Sequence, residues 1–314
     1  MQPVILRANA KVNLGLEVTG LRPDGFHGIR TVMMKTRLSD EVVLSLQSSN
    51  GPGTVDVTVS GFWAPEGESN IAYKAAAAYL DRAGYDCSDL PFDLVIHIQK
   101  AIPAGSGLGG GSSDAAATIC GLDTLLRGKD TGHTSPAPYP LSRKDMDQVA
   151  QMAGSDVSFF LGGPVCLAEG RGEQLTPVQS RCHFHILLAK PAANLSTELV
   201  YQMYDVIGPG DRPDIPAVVH ALSSGETGSL QRVVKNELEK AATRLVPDIA
   251  AVIALLGRLE PVCSGMTGSG ACAYAMFEDE SLAQQARLEV SRSRWVSWSH
   301  LTESFSEEVH DHGA

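Results

Sequence analysis

Five glycines fall within seven positions at Gly105, Gly107, Gly109, Gly110 and Gly111. They lie in the run Lys-Ala-Ile-Pro-Ala-Gly-Ser-Gly-Leu-Gly-Gly-Gly-Ser-Ser-Asp-Ala-Ala-Ala-Thr, from Lys100 to Thr118. An apolar stretch, Leu94 to Gln99, feeds the run, and alanine-rich sequence follows it. Backbone so poor in side chains can fold its N–H groups around an anion. A helix that opens on Ser112 and Ser113 as caps aims its positive end at the same point. A flexible Gly/Ser linker has the same composition, but linkers seldom join a strand directly to a capped helix. The segment therefore reads as a phosphate loop.

Two familiar phosphate loops do not fit. Gly105, Gly107 and Gly110 satisfy the letter of G-x-G-x-x-G, yet Pro103 interrupts the approach. The acid about twenty residues further on, Asp130, falls in a polar stretch rather than at the end of a second strand. No Gly-Lys-Ser/Thr follows, so the Walker A pattern is absent as well. Backbone amides and serine hydroxyls must hold the phosphates, and any catalytic cation has to come from elsewhere in the chain.

With 314 residues the chain is long enough for two domains. A formal net charge of −11 excludes a broad nucleic-acid or anionic-membrane surface but not a small cationic pocket. The six cysteines, Cys87, Cys120, Cys166, Cys182, Cys263 and Cys272, form no C-x-x-C pair and read as free thiols of a reducing compartment. Neither a signal peptide nor an apolar run of membrane-spanning length is visible, which points to the cytoplasm.

Strand patterns cover Val4 to Val18, with a polar interruption at Asn9–Asn13, and Arg22-Pro23-Asp24-Gly25 signals a turn. Val42–Leu46 and Val55–Val59 suggest a hairpin around Ser-Ser-Asn-Gly-Pro-Gly. Asn70 is placed to cap a helix running to Ala83, and Ser142 another towards Met152. Between them, Arg127 to Lys144 carries Pro136, Pro138 and Pro140 and reads as an irregular excursion. Strands are expected at Val165–Ala168, His183–Ala189 and Ala271–Phe277. Helices are expected at Thr197–Tyr204, Ser229–Arg244, Asp248–Leu259 and Ser281–Glu289. The pattern is that of an α+β chain. It divides into 1–164, 165–300 and a polar tail, 301–314.

Three further clusters bear chemistry. Lys11 lies between Asn9 and Asn13 on a strand, compatible with an edge charge and with a catalytic cation. Asp156, in Gly-Ser-Asp-Val-Ser-Phe-Phe, suits a helix cap or a general base. Phe26 and His27 follow a tight turn, where a ring either covers the core edge or projects towards a ligand.

Taken together, these motifs resemble those of the GHMP kinase superfamily. The resemblance is carried by Ala10-Lys11-Val12-Asn13-Leu14, Arg22-Pro23-Asp24-Gly25-Phe26-His27 and Ile102 to Ala116. It continues in Gly154-Ser155-Asp156-Val157, Ala168-Glu169-Gly170-Arg171-Gly172-Glu173 and Met266 to Cys272. Within the superfamily, the triple glycine and Asp-Gly-Phe-His resemble the branch acting on a cytidyl-bearing polyol. That resemblance implies a two-domain α+β GHMP kinase fold: an N-terminal ribosomal-S5-like ATP domain, a C-terminal ferredoxin-like substrate domain, and an active site in the interdomain cleft. It implies ATP-dependent phosphorylation of the 2-hydroxyl of a cytidyl-methylerythritol substrate on the non-mevalonate isoprenoid route. Homoserine- or mevalonate-type kinases and a non-catalytic nucleotide-binding relative are the alternatives.

By the same resemblance, Lys11 and Asp156 are the catalytic pair. Pro103, Ala104, Gly105, Ser106, Gly107, Leu108, Gly109, Gly110, Gly111, Ser112 and Ser113 form the ATP loop, with Asn70 towards the adenine. Asn13, Phe26, His27 and Tyr201 bind the second substrate, Phe26 and Tyr201 stacking on the cytosine and His27 meeting its edge. Thr267, Gly268, Ser269 and Gly270 line the site behind the phosphates. Mg2+ accompanies ATP, with Ser112 or Ser113 as its ligand. The partners are then small molecules, with no nucleic acid and no membrane, and the chain is a monomer or a homodimer.

Overall fold

The computed structural model describes residues 2–127 and 140–305. Asp130, Pro136 and Pro138 of the excursion and most of the polar tail lie outside them. Two compact units emerge. The first comprises Met1–Ala10, Leu38–Ala104 and Gly109–Gly162; the second Lys11–Arg37, Gly105–Leu108 and Gly163–Ala314. They do not follow from one cut in the chain, because the long strands β1 (Val4–Leu21) and β2 (His27–Gln47) each contribute to both units.

In the first unit, β2 pairs through Glu41–Gln47 with the antiparallel strand β4 (Asp93–Lys100). The expected hairpin is overturned here. Strand β3 (Val55–Gly61) runs parallel to β4, not against β2, with Val55 opposite Leu94 and Val57 opposite Ile96. Turn residues at 48–53 allowed a hairpin, but β4 inserts between the two candidates and pairs with both. Helix α1 (Ile71–Arg82) and helix α2 (Gly110–Arg127) cover the sheet. Their alanines (Ala72, Ala75, Ala76, Ala115, Ala116) are buried against Val42, Leu44, Leu94, Ile96 and Ile98. Small side chains let the helices approach closely, and Gly121 carries this furthest. A Cβ there would lie 2.5 Å from Leu44. Helix α3 (Arg143–Ala153), capped by Ser142, and the short helix α4 (Val157–Leu161) complete the unit.

In the second unit, β2 pairs through Ile29–Met34 with β5 (Val165–Gly170), which pairs in turn with β6 (Gln174–Pro177). The remaining strands are β7 (His185–Lys190), β8 (Cys263–Met266), β9 (Ala273–Phe277) and β10 (Trp298–Glu303). They form an antiparallel sheet in the order β10–β7–β9–β8. Counted along the chain this is 4-1-3-2, the order of a ferredoxin-like unit. Between β7 and β8 come helices α5 (Thr197–Ile207), α6 (Ile215–Ser224), α7 (Leu230–Val233), α8 (Glu239–Leu245) and α9 (Asp248–Gly257). Helix α10 (Glu280–Val290) links β9 to β10, and α9 and α10 bury Val252, Leu256, Ala283 and Val290 against Leu187, Ala189 and Phe277.

Two sequence expectations are corrected in this unit. The helix expected over Ser229–Arg244 is broken into α7 and α8, because Leu16 bridges to Asn236 in parallel, through Leu16 N–H to Lys235 O and Glu237 N–H to Leu16 O. Tertiary pairing overrides helix propensity here. The tail does not begin at 301, since Leu301–Glu303 pair with Leu187–His185. All six cysteines are free, and Cys87, in the first unit, is exposed.

Candidate active site

The glycine run is divided between the two units. Its first half, Gly105–Leu108, is bound within the second unit: Ala271 N–H donates to Gly105 O and Cys272 N–H to Ser106 O. Gly107 takes φ +76°, and a Cβ there would lie 2.3 Å from the Thr267 carbonyl oxygen. Only glycine tolerates both the left-handed backbone and that approach. The Thr267–Gly270 turn therefore packs directly on this half of the loop.

Lys11, also in the second unit, sits beside that turn. Its Nζ donates to Asn13 Oδ1 at 2.7 Å, and its backbone N–H donates to Leu108 O at 2.9 Å. Asn13 is held from every side. Its N–H donates to Thr267 Oγ1 at 3.1 Å, and its Oδ1 accepts from the same hydroxyl at 3.2 Å. Its Nδ2 donates to Thr31 Oγ1 at 3.0 Å, and Thr31 donates onward to Gly15 O. The hydroxyl of Tyr274 donates to Asn13 O at 2.9 Å. Lys11, Asn13, Thr31, Thr267 and Tyr274 are all buried. Such a network fixes the ammonium's position, since each rotamer is set by its neighbour. Asn13 thus orients Lys11, leaving one Nδ2 hydrogen for any substrate contact.

Asn236, which sequence reasoning missed, supports the turn from below. Its Nδ2 donates to Met266 O at 3.0 Å and Gly268 O at 2.8 Å, while its Oδ1 caps Leu238 N–H. Asparagine in the middle of a supposed helix was the available signal. A cavity of about 600 Å3 adjoins these groups, lined among others by Asn13, Asn236, Glu239 and Tyr274. Burial raises the Glu239 carboxyl above its ordinary pKa, against the pull of a hydrogen bond from the Met266 backbone.

The second half of the loop starts α2 in the first unit. Here the expected serine cap is corrected: the helix begins at Gly110, so Ser112 and Ser113 lie in its first turn. Ser113 is buried and its hydroxyl donates to Gly110 O at 2.9 Å; Ser112 is half-buried. Beneath this turn lies a buried charged triad that sequence reasoning did not detect. Lys100 Nζ is bonded to Asp40 and, at 2.6 Å, to Asp114 Oδ2. Asp40 Oδ1 also accepts from Ala101 N–H at 2.6 Å and Ile102 N–H at 2.8 Å. Asp114 Oδ1 has no hydrogen-bond partner among the described residues. Burial drives the Asp114 carboxyl well above the usual range, resisted by Lys100 and reinforced by the Asp40 charge. The triad ties the end of β4 to the first turn of α2 and so sets where that turn's free N–H groups point.

Asn70 is committed to capping α1. Its Oδ1 accepts from Ala72 N–H at 2.8 Å and its Nδ2 donates to Pro65 O at 2.6 Å. Asp156 precedes α4 at the cap position, yet its side chain makes no capping bond. The cap explanation for this carboxylate therefore fails.

A third cluster is aromatic and lies in the second unit. Phe26 is 53% exposed, with the Arg171 guanidinium 3.8 Å above its ring. His27 stacks on Tyr201 at 4.7 Å with 20° between the rings, and meets Tyr204 edge-on. Its Nε2 lies 2.8 Å from Asp205 Oδ1, which fixes the ring. His27 is thus docked on α5 through Tyr201, Tyr204 and Asp205, while Phe26, the residue before it, packs under Arg171. Tyr201 has the imidazole of His27 as its stacking partner, a pairing across the chain that no local pattern signals.

Known proteins resemble this chain along most of its length. The family model for the GHMP kinases N terminal domain matches residues 70–163, and the model for GHMP kinases C terminal matches residues 218–296. A 4-diphosphocytidyl-2-C-methyl-D-erythritol kinase of Syntrophomonas wolfei is 36% identical over 284 residues, covering 90% of this chain and 93% of the relative. A kinase of the same name from Geobacter sulfurreducens is 35% identical, covering 95% and 97%. The crystal structure of a 4-(cytidine 5'-diphospho)-2C-methyl-D-erythritol kinase superposes with a TM-score of 0.76 at 30% identity, over 97% of this chain and all of that one. A homoserine kinase from Cytophaga hutchinsonii shares the fold at a TM-score of 0.67 and 17% identity.

Proposed function

The chain belongs to the GHMP kinase family, and on that premise we propose that it transfers the γ-phosphoryl group of ATP to the 2-hydroxyl of 4-diphosphocytidyl-2-C-methyl-D-erythritol. The observation that carries the substrate is the aromatic cluster. A half-exposed Phe26 beside a ring-stacked, carboxylate-anchored His27 suits a nucleobase, and homoserine or mevalonate offers nothing for those rings to hold. Relatives more than 30% identical along nearly their whole length carry the name of this kinase.

In this reading, the amides of the glycine loop and the first turn of α2 hold the phosphates of ATP. Asp156, whose carboxylate is not used in capping, orients the substrate hydroxyl and accepts its proton as the oxygen attacks. Lys11, fixed by Asn13, faces the negative charge that spreads over the transferring group. A loose phosphoryl transfer needs little more than such positioning and charge compensation. The residues present fit Mg2+ arriving with the nucleotide. Ser112 offers one hydroxyl, the neighbouring Asp114 is bonded to Lys100, and one protein oxygen suits an ion that keeps its waters and phosphate ligands. When bound, Mg2+ neutralises phosphate charge. The reaction consumes ATP, and we place the enzyme in the cytoplasm on that ground.

The test is a coupled ADP-release assay offering the cytidyl substrate, homoserine and mevalonate in turn. Turnover confined to the cytidyl substrate is expected. Turnover of homoserine or mevalonate without it overturns the assignment, and ADP release with none of the three refutes an alcohol kinase of this specificity.

A further inference from the structure

The segment leading into β7 reads Cys-His-Phe-His-Ile. Phe184 is fully buried, so extended backbone places His183 and His185 together on the opposite face. Glu303 stands directly across from His185 in the β10–β7 register. Its Oε2 lies 3.9 Å from His183 Nε2 and its Oε1 lies 3.9 Å from His185 Nδ1. One ligand atom from each of the three falls within 4.8 Å of the others. The two imidazoles meet edge to face at 5.4 Å, so their nitrogens converge from different directions rather than stacking.

Two imidazole nitrogens and one carboxylate oxygen on adjacent strands match a known donor set. Magnesium and calcium prefer oxygen, whereas imidazole favours zinc, copper and nickel. Around zinc, bonds of roughly 2.0–2.2 Å put neighbouring tetrahedral ligands about 3.3–3.5 Å apart. The observed separations exceed this by an amount that small side-chain rotations can close, since His183 and Glu303 are about half-exposed, though His185 is largely covered. We propose that His183, His185 and Glu303 bind a single borderline divalent ion, zinc first among them, that clips β7 to β10. Three protein ligands leave the fourth position to water. Arg37 competes for the site, its Nε lying 3.4 Å from the same Glu303 Oε2 that faces His183. Metal binding must displace that contact, so the guanidinium acts as a built-in antagonist.

Zinc chloride titrated calorimetrically into the full, tag-free chain is the test. One equivalent is expected to bind, unaffected by excess Mg2+. His183→Gln, His185→Gln and Glu303→Gln should each weaken it about tenfold or more. Arg37→Gln should tighten binding, a change that nonspecific surface adsorption does not produce. Zinc should raise the melting temperature of the wild-type chain and leave that of His185→Gln unmoved, while kinase turnover is the same in both. The chain also carries His310 and His312. If zinc binding survives in a His183→Gln/His185→Gln variant that melts normally, or vanishes instead in His310→Gln/His312→Gln, the site is refuted.

Discussion

Thr267→Val isolates the network that holds Lys11. Valine replaces a hydroxyl with a methyl of nearly equal volume, so no cavity opens, but three contacts go, the weakest being the one to Gly107 O at 3.4 Å. Asn13 N–H loses its acceptor at 3.1 Å, and Asn13 Oδ1 loses a donor at 3.2 Å. Both sit in the interior, where Thr267 is fully buried and Asn13 nearly so. Leaving one buried N–H unsatisfied costs about 1–3 kcal/mol. The lost donor matters less, because Lys11 Nζ still bonds Oδ1. A cost of about 2 kcal/mol in a unit of this size lowers the melting temperature by roughly 4–8 °C. The kinetic effect should be larger than stability alone suggests. An asparagine held by fewer partners fixes the ammonium less tightly, and a misplacement of about 1 Å can cost roughly a hundredfold in rate. We therefore expect kcat to fall about 10- to 100-fold with the KM for ATP little changed, and Thr267→Ser, which keeps the hydroxyl, to recover most of it. Differential scanning fluorimetry and steady-state assays read both quantities. Wild-type kcat in Thr267→Val, or a serine variant as impaired as the valine, refutes the argument that this hydroxyl positions Lys11.

Asp156→Asn should retain the fold and substrate binding while kcat drops by roughly a hundredfold or more; activity within a few-fold of wild type removes Asp156 as the base. Phe26→Ala should weaken the cytidyl substrate by about 1–3 kcal/mol, roughly 5- to 150-fold in KM, without altering the KM for ATP. A rise in the KM for ATP instead assigns the ring to the other nucleotide. Asp114 carries a pKa raised above 3.8, so the folded chain keeps a proton that the unfolded chain has released. Stability from this group therefore falls as pH rises above that value, until the carboxyl ionises in the folded state. Asp114→Asn leaves Lys100 paired with Asp40 alone. Its melting temperature should gain on wild type between about pH 5 and about pH 8, whereas a constant gap refutes the shared buried proton.

The glycine turn into α2, the turn before Phe26 and the caps at Asn70 and Ser142 were legible locally. Each depends on chemistry within a few residues: glycine's freedom at positive φ, or a side-chain oxygen reaching an amide N–H two or three positions on. Lys11 and Asp156 could be singled out only because their motifs matched those of a family, since a lysine on a strand and an aspartate before a helix have ordinary local explanations. The rest depends on long-range contacts. Asn236 breaks what propensity made one helix because it pairs with Leu16 and cradles a turn some thirty residues later in the chain. Lys100, Asp40 and Asp114 become a buried triad because the end of β4 meets the interior of β2 and the start of α2. His27 meets Tyr201 across 174 residues of chain. Local patterning sets which backbone shapes are cheap, whereas these contacts join residues whose separation along the chain carries no signal. Their partners are fixed only when burial forces every polar group to find one.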